Sequence, residues 1–382
     1  MTNILFTTAY YDGFTGSQQS MYPLVVDAEK LNTTLLLPKW GECAERFQAA
    51  DVSINIIRYP DRLDKFQGEL LSTSLYEKSL AGCSLLRYHI HVILYLIQNS
   101  PQVVYCNDVR SVFMFGIPAK LLRIPVIWYV RIDTPINKVD RMGVRIADHI
   151  LTISDGVRSR FTDSELSKYS DKFKTLYTGV DLDQYSPTED ADSTEESVTF
   201  IQVASIQPRK GQLDLIHAIK GLLQSNNNIQ LQFAGNIVQS EMEYKRKIDK
   251  VVKEAEIEDQ VEFLGWIDDV AGVLHNADVF VLPSYNEGFP RSILEAFAAG
   301  LPVIATDAGG TSEIVDNGQN GFLIPIEDRS ELEEKIRILA TDTNLRKEMG
   351  TNGRKTVEQD FSIERYVTEF EKFINETVIS SK

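Results

Sequence analysis

The sequence predicts an α/β protein built as two doubly wound parallel-sheet domains in tandem. Three observations predict it. Short apolar runs rich in β-branched and aromatic residues alternate with longer mixed runs at helical spacing. Continuous apolar strands of this kind belong to parallel sheets covered on both faces. A polar, acidic stretch from Pro187 to Ser197, PTEDADSTEES, then interrupts the alternation without a single aliphatic anchor, as an inter-domain linker would. Beyond it the alternation restarts, and the 382 residues suffice for two or three domains of about 150 residues each.

In chain order, Ile4–Tyr10 reads as the first strand. The residues at its start lack a charged leader and a long apolar core, so no export signal is expected there. Thr34–Pro38 and Ile54–Pro60 follow as strands, and Leu75–Gln98 as a long helix stopped by Asn-Ser-Pro. The stripe Leu85, Leu86, Ile90, Ile93, Leu94 and Ile97 on that helix is assigned to the core, with membrane contact as the alternative. No window reaches about 18 consecutive apolar residues, so no spanning helix is expected. Strand Val103–Cys106, a helix over Val112–Leu122, and strands Pro125–Val130, His149–Ser154 and Phe173–Gly179 complete the first half. The second half offers strands Val198–Ala204, Ile229–Gly235, Val261–Gly265, Val279–Pro283, Pro302–Thr306 and Gly321–Pro325. Between them lie helices Leu213–Leu223, Glu241–Ala255, Asp269–His275, Pro290–Ala299 and Ser330–Ala340. Ser362–Thr377 closes the chain as an amphipathic helix. The expected domains are therefore 1–187 and 188–361, with the terminal helix in 362–382.

The net charge of −16 sits in the second half. Residues 1–187 hold 20 basic and 20 acidic side chains, and residues 188–382 hold 19 and 35. A nucleic-acid partner would call for a basic surplus, which the chain lacks. The neutral first half is the better candidate for contact with an anionic membrane. Cys43, Cys83 and Cys106 are odd in number and widely spaced, which gives neither a disulfide framework nor a metal knuckle. A cytoplasmic location is expected, with peripheral membrane association through the first domain as an open partner.

In doubly wound sheets, ligands bind outside the carboxyl ends of strands, and two such domains would face each other across a cleft. The stretch Ser284–Gly300, SYNEGFPRSILEAFAAG, lies at such a strand end. Pro290 suits a first helical turn and Gly300 the position just past a helix. The first-turn amides favour a phosphate. Glu287 falls in the loop and Glu295 inside the helix, so the two carboxylates can accept hydrogen bonds from sugar hydroxyls on either side of that phosphate. Alternatively both are ordinary solvated charges, a reading that the apolar neighbours Ile293, Leu294, Ala296 and Phe297 oppose for Glu295. Arg209-Lys210-Gly211, after a strand and before a helix, has the makings of a diphosphate clamp. Gly13 and Gly16, in the loop after the first strand, would let backbone approach a ligand closely, and Gly309-Gly310 stand at another strand mouth. Asn107-Asp108 is either a ligand contact or a helix cap.

Together PRKG (Pro208–Gly211), FLGW (Phe263–Trp266), the long segment Ala277–Val315 and NGFLIP (Asn320–Pro325) resemble the retaining glycosyltransferases of GT-B fold, family four. Ile150–Phe161 and Leu176–Pro187 agree more loosely. The resemblance implies two Rossmann-like domains facing a cleft, a nucleoside-diphosphate sugar as co-substrate, and no metal cofactor. It implies that Arg209 and Lys210 meet the diphosphate, that Glu295 binds the ribose and that Glu287 binds the transferred sugar. The backbone of Gly288, Phe289 and Pro290 would lie beside sugar and phosphate, and Gly265 and Trp266 beside the base. Gly16 would admit the first-domain loop to the diphosphate, and the terminal helix would pack back toward the N-terminal domain.

There are two departures from the family pattern. Where relatives carry a Gly-Arg pair after the first strand of the second domain, this chain has Ala204-Ser205; where they carry a histidine, it has Arg131, with Asp133 two residues on. Arginine can orient a hydroxyl or steady a leaving phosphate, but it cannot serve as a general base. Lys210, Glu287 and Arg131 are thus the expected catalytic groups, with Asn107, Asp108 and Asp133 as further sugar or acceptor contacts. The implied reaction moves a hexosyl or N-acetylhexosaminyl group, with retained configuration, to an acceptor that is a carbohydrate, a lipid-linked intermediate, a protein or a small molecule. A nucleotide-sugar hydrolase or epimerase, and a non-catalytic nucleotide-sugar-binding scaffold, are the alternatives.

Overall fold

The computed structural model describes residues 1–60, 75–131, 136–186 and 197–380. They form two compact units, Met1–Tyr177 with Tyr366–Lys382, and Thr178–Arg365.

The first unit is built on β1 (Thr2–Thr7), β2 (Leu31–Leu37), β3 (Ser53–Ile56), β4 (Val103–Cys106), β5 (Val126–Val130), β6 (His149–Thr152) and β7 (Phe173–Thr175). The sheet order is β3-β2-β1-β4-β5-β6-β7, and every pairing is parallel. Every residue of β4 and β5 is buried, which is why those runs read as unbroken apolar stretches. Order reverses between β1 and β4, so their carboxyl ends open a crevice. The covering helices include α1 (Gly16–Val26), α2 (Glu42–Gln48), α3 (Leu75–Asn99), α4 (Ile117–Leu121) and α5 (Lys138–Ile146). The helix expected over Val112–Leu122 starts earlier, at Val109, and passes through a π-helical turn, Val112–Gly116, before α4.

The second unit has β8 (Val198–Val203), β9 (Ile229–Ala234), β10 (Val261–Gly265), β11 (Val279–Leu282), β12 (Val303–Thr306) and β13 (Gly321–Ile324). Its order is β10-β9-β8-β11-β12-β13, again all parallel. The reversal falls between β8 and β11, which sets loops 77 residues apart side by side. The helices are α6 (Gln212–Ser225), α7 (Met242–Glu254), α8 (Val270–His275), α9 (Arg291–Ala298), α10 (Arg329–Thr341) and α11 (Thr343–Asp360). A continuous core of Phe200, Leu215, Ile219, Leu231, Phe233 and Val281 joins β8, β9 and β11 to α6.

The polar sequence of α11 gave no helical signal, and it went unanticipated. Asp342 caps it by accepting from the Leu345 amide, and only Met349, Gly350, Gly353 and Val357 are buried along its length. Its glycines are fitted to α9: a β-carbon at Gly350 would lie 1.9 Å from the Gly300 carbonyl oxygen, and one at Gly353 would lie 2.3 Å from the Phe297 ring. A helix held by backbone approach needs few apolar side chains, so periodicity cannot find it.

The boundaries differ from those read in the sequence. Residues 178–186 belong to the second unit, because Val180 bridges Ser362 and Arg354 donates to the carbonyls of Leu182 and Tyr185. The terminal helix α12 (Ile363–Ser380) contributes Tyr366 onward to the first unit, where Phe370 packs on Phe6 and Tyr105 at ring separations of 5.9 and 5.8 Å.

Helix α3 also departs from expectation. Tyr88, Val92 and Leu96 turn inward, whereas Leu86, Ile90, Leu94 and Ile97 are exposed. Ser79–Asn99 is long and apolar enough, by length and composition, to cross a membrane. The helix carries apolar residues on two sides, and the first unit buries one stripe and leaves the other outside.

Candidate functional site

The site is laid out by the reversal between β8 and β11. The chain leaves β8 through Ser205, makes a 3₁₀ turn over Pro208–Lys210, and enters α6 through Gly211. Gly211 has φ of 70°, and a β-carbon there would lie 2.0 Å from the Pro283 carbonyl oxygen. Only glycine permits this approach of the two loops. The loops are then stitched together. The Tyr285 amide donates to the Arg209 carbonyl (2.9 Å), and the Gln202 side chain donates to the Lys210 carbonyl (2.7 Å).

At the centre Lys210 Nζ lies 2.6 Å from Glu287 Oε1, with the side chains only 13 % and 8 % exposed. The structure thus brings together two residues that the sequence separates by 77 positions. A third loop joins them, since the Gly310 amide donates to the Gly288 carbonyl at 3.1 Å. Phe289 is buried and packs against Phe361 at 5.6 Å, so its side chain belongs to the core and only its backbone remains for a ligand. Arg209 reaches Gln207 Oε1 (3.2 Å) and the Asn286 carbonyl (3.4 Å), lining the same loop.

Pro290, expected in the first helical turn, instead caps α9 in an extended conformation, and the helix starts at Arg291. Gly300, with φ of 80°, ends it as expected. Glu295 lies on α9 and faces Arg291 one turn back, 3.4 Å away. Burial holds its carboxyl above the ordinary value, and the Arg291 cation partly opposes this. The same carboxylate, second to burial, raises the Tyr185 hydroxyl in the segment before β8. Each of the two glutamates therefore has a cation beside it. Gly265 closes β10 with φ of 69°, and Trp266 beyond it is exposed, with its indole N–H donating to Asp268 at 3.0 Å.

Two features here escaped the sequence reading. Tyr285 donates to Asp214, which also accepts from Arg329 at 2.5 Å, so α6 and α10 pin the loop that carries Glu287. Beneath it, Ser284 Oγ, Gln202 Oε1 and Gln212 Oε1 are buried polar atoms with no hydrogen-bond partner among the described residues. Isolated polar residues scattered over 130 positions carry no joint signal until the fold gathers them.

The first unit treats its candidates differently. Gly16 opens α1, and a β-carbon there would meet nothing within 4 Å. Internal packing therefore does not demand glycine at this position. Arg131, expected at the ligand, is committed inward. Its guanidinium lies 3.6 Å from the Tyr129 ring centroid, donates to Asn107 Oδ1, and donates to Tyr105 and Tyr366 hydroxyls at 2.9 and 3.2 Å. Tyr366 in turn donates to the Ser20 carbonyl at 3.0 Å. Arg131 thus clamps β4, β5, α1 and α12, and it uses Asn107 as one of its acceptors. Asp108 is a cap: its carboxylate accepts from Ala9, Ser111 and Thr8, and burial raises its pKa against those hydrogen bonds. Asp133 lies outside the described residues. Among the described residues, no three or more His, Cys, Asp or Glu side chains gather as a metal site.

The model of the glycosyl transferases group 1 family matches residues 188–356. Among characterised relatives, N-acetyl-alpha-D-glucosaminyl L-malate synthase of Bacillus anthracis is 26% identical over 245 residues, spanning 63% of this chain and 62% of its own. The capsular polysaccharide biosynthesis glycosyltransferase CapM of Staphylococcus aureus is 25% identical over 342 residues, spanning 82% and 87%. Of solved structures, HepE of Anabaena in complex with UDP and glucose superposes with a TM-score of 0.79 at 18% identity, covering 98% of this chain and 100% of that one. A glycosyltransferase of Rickettsia africae gives 0.82 at 15% identity, covering 100% and 99%.

Proposed function

We propose, for a chain whose residues 188–356 match the group 1 glycosyl transferases and which has the GT-B fold, transfer of a hexosyl or N-acetylhexosaminyl group from a nucleoside-diphosphate sugar to an acceptor hydroxyl. The observation that carries this reading is the Lys210–Glu287 pair, 2.6 Å apart at the mouths of β8 and β11. A cation and a hydroxyl-accepting carboxylate at one point suit the junction of a phosphate and a sugar. In this reading Lys210 and Arg209 take the diphosphate, Glu287 the transferred sugar, and Glu295 the ribose. Gly265 and Trp266 border the base, and the backbone from Gly288 to Pro290 runs alongside. The first unit receives the acceptor, with Gly16 at its ligand-facing loop. Arg131 acts there as a positioning residue through Asn107.

The bond from the anomeric carbon to the phosphate oxygen breaks as the acceptor oxygen attacks the same face, which retains configuration. The departing diphosphate keeps the electron pair and takes the acceptor's proton. Charge grows on that diphosphate in the transition state, and Lys210 with the first amides of α9 stabilises it there more than in the ground state. No pair of carboxylates is needed to flank the anomeric carbon, so Glu287 is given neither an acid nor a nucleophile role. Polysaccharide or glycoconjugate synthesis is the favoured setting, supported by the capsular polysaccharide relative. We place the reaction in the cytoplasm, supported by the three free thiols of Cys43, Cys83 and Cys106.

Incubation with a panel of nucleoside-diphosphate sugars, with and without acceptors, followed by mass spectrometry, tests the reading. A glycosylated acceptor and released nucleoside diphosphate are expected. Rapid release of free sugar or an epimer from donor alone would favour a hydrolase or epimerase. Calorimetric donor binding without turnover on any acceptor would leave a scaffold.

A further inference from the structure

The outward face of α3 has no place in the transfer chemistry. Leu86, Ile90, Leu94 and Ile97 are 64, 50, 59 and 58 % exposed. They fall at i, i+4, i+8 and i+11, which sets all four on one side of the helix. Burial was the default expectation for such a stripe, and only 28 % of the apolar 18-residue window within Ser79–Asn99 is buried. Four large aliphatic side chains contiguous on one helix differ from the scattered apolar residues normal on a surface.

The charge around this face is as telling as its apolarity. From Ser79 to Val130 the chain holds Arg87, Arg110, Lys120 and Arg123 against one acid, Asp108, which is the buried cap, and Lys120 is paired with Asp148 at 2.6 Å. The chain as a whole carries −16, and that surplus lies in residues 188–382. Beside the stripe, Leu94 shares a cavity of about 640 Å³ with Arg58, Arg87, His91, Tyr88 and Tyr95, and among the described residues no acid lines it. Arg58 and Arg87 are both exposed. Helix α4 packs against α3, and its Leu121 is 68 % exposed.

From this juxtaposition we propose that the α3 face docks the first unit onto an anionic lipid surface. The four aliphatic side chains enter the acyl boundary while Arg58 and Arg87 meet headgroup phosphates. This is the signature of a helix lying in the plane of an interface. Tyr88, Val92 and Leu96 stay buried in the first unit, Tyr88 against Tyr59 and Phe115, so α3 rests on the membrane instead of crossing it. The attachment is independent of the donor site, and it holds whether or not the transfer reaction proposed above is correct.

Vesicle co-sedimentation of the full chain tests it. Vesicles of phosphatidylcholine with phosphatidylglycerol should pellet the protein, and vesicles of phosphatidylcholine alone should not. Ile90→Glu with Leu94→Glu should weaken partitioning on the order of a hundredfold, since two buried aliphatic side chains and two added acids both oppose it. Arg58→Glu with Arg87→Glu should abolish the preference for phosphatidylglycerol. All these positions are exposed, so circular dichroism and the melting temperature should match the parent. Equal binding to both vesicle types, or none to either, would overturn the proposal. So would light scattering that shows a dimer dissolved by the Ile90/Leu94 substitutions, which would make a second copy the occupant.

Discussion

Removal of one member of the Lys210–Glu287 pair is the most direct test of how the donor loops are built. At 2.6 Å, and with an effective dielectric constant of about 20, the gross attraction is about 6 kcal/mol. The side chains are 13 % and 8 % exposed, so little solvent screening discounts it. Desolvation of both charges offsets most of that attraction, and the pair adds little net stability. Either single deletion is different, because it strands a charge in a site already closed to water. Lys210→Ala and Glu287→Ala should therefore each cost roughly 3–5 kcal/mol, whereas Lys210→Met with Glu287→Leu should cost less than the two singles combined by about 2–3 kcal/mol. Guanidinium unfolding of the full chain, resolved into its transitions, measures the stability terms. Activity should respond otherwise: kcat/KM should fall roughly 10²–10³-fold in each single variant and not recover in the double, because Lys210→Ala removes the cation that the growing phosphate charge needs and Glu287→Ala removes the carboxylate that holds the transferred sugar. Singles within about 0.5 kcal/mol of the parent, or an additive double variant, would refute the argument that this pair organises the site.

Three further outcomes follow from the same geometry. The raised Glu295 carboxyl is disfavoured as an anion in the folded protein, so the stability it costs is regained as pH falls through that raised value, while donor affinity is lost over the same window. Arg291→Ala removes the opposing cation and should move the acid limb of the kcat/KM profile to higher pH; a limb that stays or moves down contradicts the assignment. Gly211→Ala demands an allowed φ and about 1 Å or more of backbone retreat from Pro283, so donor binding measured by calorimetry should fall at least tenfold, with lowered stability. Arg131→Met should destabilise the first unit by about 2–4 kcal/mol through loss of the Asn107, Tyr105 and Tyr366 bonds, and leave donor affinity unchanged; a selective loss of donor affinity without destabilisation would return Arg131 to the ligand.

What the sequence by itself determined is the part written in local periodicity and local chemistry. Val103–Cys106 was legible to the residue, because a strand buried on both faces must be apolar throughout. Glu287, Lys210 and the glycine turn at 211 were legible as candidates, because strand–loop–helix order places them at strand ends. The tertiary structure alone decided which candidates meet and which are spent. Lys210 and Glu287 pair because strand order reverses between β8 and β11, a fact that no spacing along the chain encodes. Arg131 turns inward because three tyrosines and Asn107, drawn from β4, β5 and α12, converge on it. Helix α11 exists because two glycines let its backbone approach α9, which leaves no apolar stripe to read. For α3 the ambiguity was physical: a helix apolar on both sides does not encode which side is buried, and only the packed fold shows which side it has taken.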